Sequence, residues 1–328
     1  MASVGPYKFA SRVPQLSYNI SLKALTWARV SASPLALTGT ASAFTGPAGA
    51  TYTLLDTAAN YGTIAPGATS DSFTAGGPSY RLSVSNPATR PAAHWDATFL
   101  ETLSTGGKNS WTVHVGNSFT DVPTSDVWSY PFVEVIFHNG ITIGCAPGIY
   151  CPYDLTPRWQ MAIFLARGLL GPGVPIPVSG TVGSSPYDCQ IGGTSLFTDV
   201  APTDVGCPGI HYIYSQQVTV GCAPGLYCPN DFTPRWQMAV FLARVLLGPG
   251  TPIPTTGTIP APYDCSAGGN SLFTDVAPTD VGCPGIHYIY SQQVTVGCAP
   301  GIFCPDGLTS RWEMAVFLVR AFHLSFLQ

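Results

Sequence analysis

From Ala24 to Val115 apolar and polar positions partly alternate along short runs: LTWARVSA, TYTLLDT, YRLSVSN, HWDATFLETL and SWTVHVG. Each has strand length and is rich in β-branched and aromatic residues. The turn clusters TGPAGA, NYGTIAPGATSD, TAGGPS, NPATRP and STGGKN separate them. Such punctuation predicts a small β-sandwich with Trp27, Trp95 and Trp111 in its core. His94 and Asp96 flank Trp95, so alternation sends both to the solvent face, away from any acid-base pairing. Beyond Gly116 the period lengthens. FVEVIFHNG and, twice, GIHYIYSQQ predict a first helix, with Ile210, Ile213 and Tyr214 at helical spacing. A second helix is clearer, because Met238, Phe241, Leu242 and Val245 follow the i, i+3, i+4, i+7 rule. Between the two lie GITIGCAPGIYCP or VTVGCAPGLYCP, whose Gly and Pro prevent the helix from continuing.

This helix-loop-helix pattern occurs three times, over Ser118–Arg167, Ser195–Arg244 and Ser271–Arg320. Ser271–Gly301 reproduces Ser195–Gly225 without a change. A unit of this kind cannot bury its apolar face alone and must pack against its neighbours. Ser310 and Glu313 predict a capping box at the third second-helix. In the other two repeats Thr156 and Thr233 precede Pro157 and Pro234, which predicts a threonine cap followed by Pro at the first helical position. The Pro-rich segments between repeats read as extended and semi-rigid. The predicted organisation is 1–23 as a tail or partial strand, 24–116 as the sandwich, and repeats at 117–170, 189–247 and 265–328 joined by linkers 171–188 and 248–264.

Composition narrows the function classes. Only 9% of the 328 residues are charged and the net charge is -4, which lacks the basic footprint of a nucleic-acid binder. No run approaches the length of a membrane span. All ten cysteines lie in the repeats, an even number in each, which predicts disulfides Cys145–Cys151, Cys189–Cys207, Cys222–Cys228, Cys265–Cys283 and Cys298–Cys304. Pro and Gly inside C-x5-C make poor zinc spacing, so no metal and no cofactor are expected. An oxidising, extracellular location follows, although Met1 to Lys23 lacks the apolar run of a signal peptide, as expected of the later part of a longer precursor.

The segment carrying TGPAGATYTLLD, ANYGTIAPG, RPAAHWDATFLETLSTG and WTVHVG resembles the immunoglobulin-like modules of large secreted bacterial proteins. The repeats resemble the S-layer homology domain. The shared residues are the openings Phe119-Thr-Asp-Val122, Phe197-Thr-Asp-Val200 and Phe273-Thr-Asp-Val276, and the second-helix starts PRWQMAIFLAR, PRWQMAVFLAR and SRWEMAVFLVR. Together the two resemblances imply an N-terminal all-β, immunoglobulin-like sandwich followed by an all-α, three-repeat helical spindle with disulfide-pinned loops. They also imply grooves between repeats that bind cell-wall polysaccharide, often through a pyruvylated sugar.

Arg158, Arg235 and Arg311 sit in the first turn of the second helices, where a guanidinium fork beside exposed N–H groups suits an anionic sugar. A structural ion pair is the rival role. Asp121, Asp199 and Asp275 either accept from sugar hydroxyls, cap the first helix or pair with an Arg. Trp128 either stacks on a sugar or belongs to the core, and Val205 and Val281 replace it in the later repeats. The family's Thr is replaced by Pro157 and Pro234, and its Ala by Trp159, Trp236 and Trp312. His211 and His287 read as surface or half-buried. The expected function is non-covalent anchoring to cell-envelope glycan. Self-association into a surface layer or filament is the alternative, and the C-terminal part of a secreted hydrolase is a third reading. No nucleophile elbow, metal motif or phosphate loop indicates an enzyme.

Overall fold

The computed structural model describes residues 17–21, 26–28, 33–72, 75, 77–85, 94–123, 125–126, 128–258 and 260–324, with the backbone alone for 17–21, 26–28 and 114. The core position expected for the Trp27 side chain therefore lies outside the described residues, as does most of the 1–23 tail. The chain divides into two compact units between Glu134 and Val135.

The first unit carries β1 (Ser17–Ser21), β2 (Thr26–Ala28), β3 (Leu35–Thr45), β4 (Tyr52–Asp56), β5 (Ala58–Ile64), β6 (Thr69–Asp71), β7 (Arg81–Ser85), β8 (His94–Leu103) and β9 (Lys108–Gly116). They pair antiparallel in three small sheets, ordered β1-β7-β4, β2-β6 and β5-β3-β8-β9. Alternation holds along β8, where Trp95, Ala97, Phe99, Glu101 and Leu103 are buried while Asp96 faces solvent. Leu37, Tyr61, Tyr80, Leu82, Phe99 and Trp111 lead the core. Each such buried side chain contributes roughly 1.5–3 kcal/mol. At its centre the Glu101 carboxylate accepts 2.7 Å hydrogen bonds from the hydroxyls of Tyr61 and Tyr80 and from Trp111 Nε1.

Helix α1 (Tyr130–His138) crosses the boundary between the units. The second unit then carries α2 (Arg158–Leu170), β10 (Ser179–Val182), β11 (Ser185–Asp188), α3 (Cys207–Ser215), α4 (Arg235–Leu247), β12 (Thr256–Gly257), β13 (Tyr263–Asp264), α5 (Cys283–Ser291) and α6 (Arg311–Ala321). The second helix of one repeat packs on the first helix of the next. Gly209 lets α3 approach α2 so closely that an added Cβ would stand 3.0 Å from the Ile163 backbone, and Gly285 meets Val240 likewise at 2.9 Å.

The all-β sandwich followed by an all-α spindle is corrected by the structure. The fold is mixed α/β, with six short helices among the described residues and strands dispersed over small sheets. The first unit extends past Gly116 into α1, where Glu134 accepts from the Ser118 N–H at 2.7 Å and from its hydroxyl at 2.5 Å. The segments between repeats are not plain extended linkers either, since β10-β11 and β12-β13 are antiparallel hairpins. Gly180 faces Tyr187 across the first hairpin and leaves room for its ring, which stacks on His211 at 4.7 Å. Tyr263 and His287 repeat the arrangement at 4.6 Å.

The five expected disulfides all form, and among the described residues no cysteine is free. Disulfides of this density mark a chain that folds in an oxidising compartment. Among the described residues no helix is long and apolar enough to cross a membrane.

Candidate functional site

In the second unit the three second helices start around a closed ring. The Thr156 N–H donates to the Thr309 carbonyl (2.9 Å), Thr309 to Thr233 (2.9 Å), and Thr233 back to Thr156 (3.1 Å). The three threonines are fully buried, and their hydroxyls cap nothing. The expected threonine caps are thus corrected: Pro157 and Pro234 are themselves the N-cap residues, in extended conformation. Ser310 holds the equivalent place, and its N–H and hydroxyl both donate to Glu313 Oε2 at 3.0 and 2.7 Å.

The N–H groups of the first two residues of each second helix are satisfied by the neighbouring repeat. Arg158 and Trp159 donate to the carbonyls of Asp231 and Pro229, Arg235 and Trp236 to Gly307 and Pro305, and Arg311 and Trp312 to Asp154 and Pro152. The first two donors of each of these helix ends are therefore taken by the neighbouring repeat and not by an anion.

The three arginines follow the same cycle. Arg158 is 2% exposed; its Nε donates to the Tyr227 carbonyl and its Nη1 to Gln237 Oε1, while its guanidinium lies over the rings of Tyr227 (4.7 Å) and Phe241 (5.5 Å). Arg235 donates to the Phe303 carbonyl and pairs with Glu313 at 2.8 Å, between Phe303 and Phe317. Arg311 donates to the Tyr150 carbonyl and to Gln160, between Tyr150 and Phe164. Burial pushes the Arg235 guanidinium below its ordinary value, against which Glu313 and then Asp275 hold it up.

The aspartates of the repeat openings pin the disulfide loops. Asp199 accepts from the N–H groups of Tyr227 (2.8 Å) and Cys228 (2.7 Å), and Asp275 from those of Phe303 (2.8 Å) and Cys304 (2.6 Å). Cys151, Cys228 and Cys304 all sit at φ 58, a left-handed conformation that L-residues adopt only when held. In the later two repeats the disulfide and the carboxylate do the holding. Asp121 lies in the first unit, in the turn that follows Phe119. Trp128, in the turn before α1, is 77% exposed, as are Val205 and Val281 at comparable levels.

What the second unit does assemble is a cavity of about 430 Å³ between its second and third repeats. One wall is Trp236, Gln237, Val240 and Phe241 of α4, and another is Val281, Pro284 and Gly285 at the start of α5. Thr219, Val220, Gly221, Thr251, Pro252 and Ile253 complete it, with Arg158 and Arg244 as its charged groups. Arg244 donates to the Val218 carbonyl at 3.0 Å, and burial lowers its pKa. Of the expected site residues only Arg158 reaches this cavity. Gln237 and Arg244 were not legible as site residues, although their recurrence as Gln160 and Arg167 was the available signal.

His211 and His287 are fully buried, not surface or half-buried as expected. The Leu196 N–H donates to His211 Nε2 at 2.9 Å, so the ring proton is on Nδ1 and donates to the Cys207 carbonyl at 2.9 Å. Both Sγ atoms of the Cys189–Cys207 disulfide lie within 3.7 Å of Nδ1. His287 is held identically by Leu272 and Cys283. Burial pushes both imidazoles below their ordinary value, offset in part by the carbonyl acceptors.

No family model matches the chain, and no curated protein matches it. Among solved structures it is similar to a FixG-related protein from Vibrio parahaemolyticus, at 10% identity over 34% of this chain and 90% of that one, with a TM-score of 0.21. A likeness of that size carries no argument about fold or function.

Proposed function

We propose that this chain anchors a secreted bacterial protein non-covalently to cell-envelope polysaccharide, and that the cavity between its second and third repeats is where a sugar docks. The cavity is the observation that carries the reading. Its volume of about 430 Å³ falls in the range of small-ligand sites. The Trp236 indole offers an apolar face for a pyranose ring, and Gln237, Thr219 and Thr251 offer hydroxyl-matching donors and acceptors. The S-layer homology resemblance of the three repeats supports the same reading, as do the disulfides of an exported chain. Pull-down by peptidoglycan sacculi, with and without their attached polysaccharide, tests it. The anchor binds only the former, and Trp236→Ala weakens that binding. An arginine-to-alanine series is unsuited to this test, because Arg158, Arg235 and Arg311 join the repeats.

Self-association is favoured by a separate observation. Ile143, Val220 and Val296 occupy equivalent places in the three repeats and are 71%, 69% and 70% exposed. Apolar side chains repeated on the surface suit contact between copies. Light scattering at rising concentration tests this reading, and a persistent monomer contradicts it.

A further inference from the structure

The ring of threonines at the start of the second helices holds three polar groups that the fold does not satisfy. Thr156, Thr233 and Thr309 are each 0% exposed, and among the described residues none of their hydroxyls has a hydrogen-bond partner. The backbone decides where these hydroxyls point. Leu155 pairs with Ser310, Pro157 with Phe232 and Pro234 with Leu308 in isolated antiparallel bridges, so three short extended segments close on one another. Side chains alternate along extended chain. Phe232 and Leu308, one residue before Thr233 and Thr309, are 48% and 43% exposed. Alternation therefore turns the threonine side chains inward, and the cyclic N–H to carbonyl bonds hold the three residues side by side.

A buried hydroxyl is costly to leave unbonded, and this ring gathers one from each repeat. The three hydroxyls do not bond one another, so a shared partner is needed to satisfy them together. Helices α2, α4 and α6 begin two residues beyond the ring with Arg158, Arg235 and Arg311, and these positive helix ends and guanidiniums disfavour a cation there. Water suits the place, since a buried water typically makes about three hydrogen bonds to polar groups that otherwise lack them. We propose that the three hydroxyls bind one buried water on the axis of the ring, which joins all three repeats through a single molecule. This inference is independent of the glycan-anchoring reading, because none of the three threonines lines the cavity beside Trp236.

Thr→Val is nearly isosteric and removes the hydroxyl alone, so the sign of its effect is informative. An unsatisfied hydroxyl predicts that Thr233→Val stabilises the full chain, whereas a shared water predicts a loss, because the water is left short of a partner. Urea unfolding is expected to show the loss, with the unfolding constant of Thr233→Val raised roughly 5- to 30-fold. The effects are also coupled: Thr156→Val added to Thr233→Val costs less than Thr156→Val alone, since the shared molecule has already been disturbed. Stabilisation by Thr233→Val, or losses that simply add, overturns the proposal. A crystal structure of the unsubstituted chain grown in bromide tests it without relying on any variant. One peak within hydrogen-bond distance of all three Oγ1 atoms, with no anomalous signal, is the expected result. No peak there, or an anomalous peak from bromide, overturns it.

Discussion

Arg235 and Glu313, on the second helices of successive repeats, stand 2.8 Å apart with 6% and 24% of their side chains exposed. The pair closes one of three equivalent joints, and it alone of the three is ionic. Removing one partner of such a pair leaves the other charge desolvated and uncompensated. Arg235→Ala also removes the cation from between Phe303 and Phe317 and strands the Phe303 carbonyl. It is expected to cost about 3–5 kcal/mol in urea unfolding. Gln160→Ala at the equivalent joint loses a hydrogen bond to a charged group and costs about 1.5–3 kcal/mol. A smaller loss for Arg235→Ala than for Gln160→Ala contradicts this ranking.

The two buried histidines make stability depend on pH. Their pKa values are lowered in the folded state, so below the ordinary value near 6.5 the unfolded chain binds protons that the folded chain refuses. Stability is therefore full above about pH 6.5 and falls as pH drops through that value toward the depressed folded pKa. Protonation at Nε2 would also break the bonds from the Leu196 and Leu272 N–H groups. Urea midpoints measured from pH 8 to pH 5 show the decline, and a variant combining His211→Leu with His287→Leu loses that slope. A flat wild-type profile contradicts the assignment of neutral, Nδ1-protonated rings.

In the first unit Glu101 is fully buried among three donors. Glu101→Ala leaves two tyrosine hydroxyls and the Trp111 Nε1 without this acceptor, at a cost of about 3–5 kcal/mol. Glu101→Gln keeps one acceptor oxygen and costs less. Chemical denaturation of both variants checks the order.

Close helix packing is the basis of the next expectation. At Gly285 a methyl group meets the Val240 backbone at 2.9 Å, and backbone cannot move aside as a flexible side chain can. Gly285→Ala is expected to cost about 1–3 kcal/mol by forcing α5 from α4. Gly301→Ala, where the backbone is left-handed but nothing lies within 4 Å, serves as a strain-only comparison. Thermal melts of the two distinguish crowding from backbone strain.

How much of this was legible in the chain depends on how local the signal is. The disulfide pairs were readable because both partners lie within one repeat. The first and second helices were readable from their apolar spacing. Strand β3 was not, since LALTGTASAFT is built of small residues and bulges near Ala43, which has positive φ. Strand β5 was hidden in a segment that Asn, Gly and Pro made look like a turn. The arginines were found by position, yet their burial depends on aromatic rings one repeat away, which no local pattern reveals. The hairpins between repeats were masked by their Pro content, and the Gly–Tyr pairs that organise them act across strands.

The central claim is that the cavity beside Trp236 holds envelope polysaccharide. Its most direct test is titration of polysaccharide released from sacculi against the intact chain and against Trp236→Ala, with folding of the variant checked by its melting curve. The account predicts saturable binding by the intact chain and at least about tenfold weaker binding by the folded variant, in keeping with the loss of a stacked aromatic. Equal binding by the two proteins, or none by the intact chain, contradicts it.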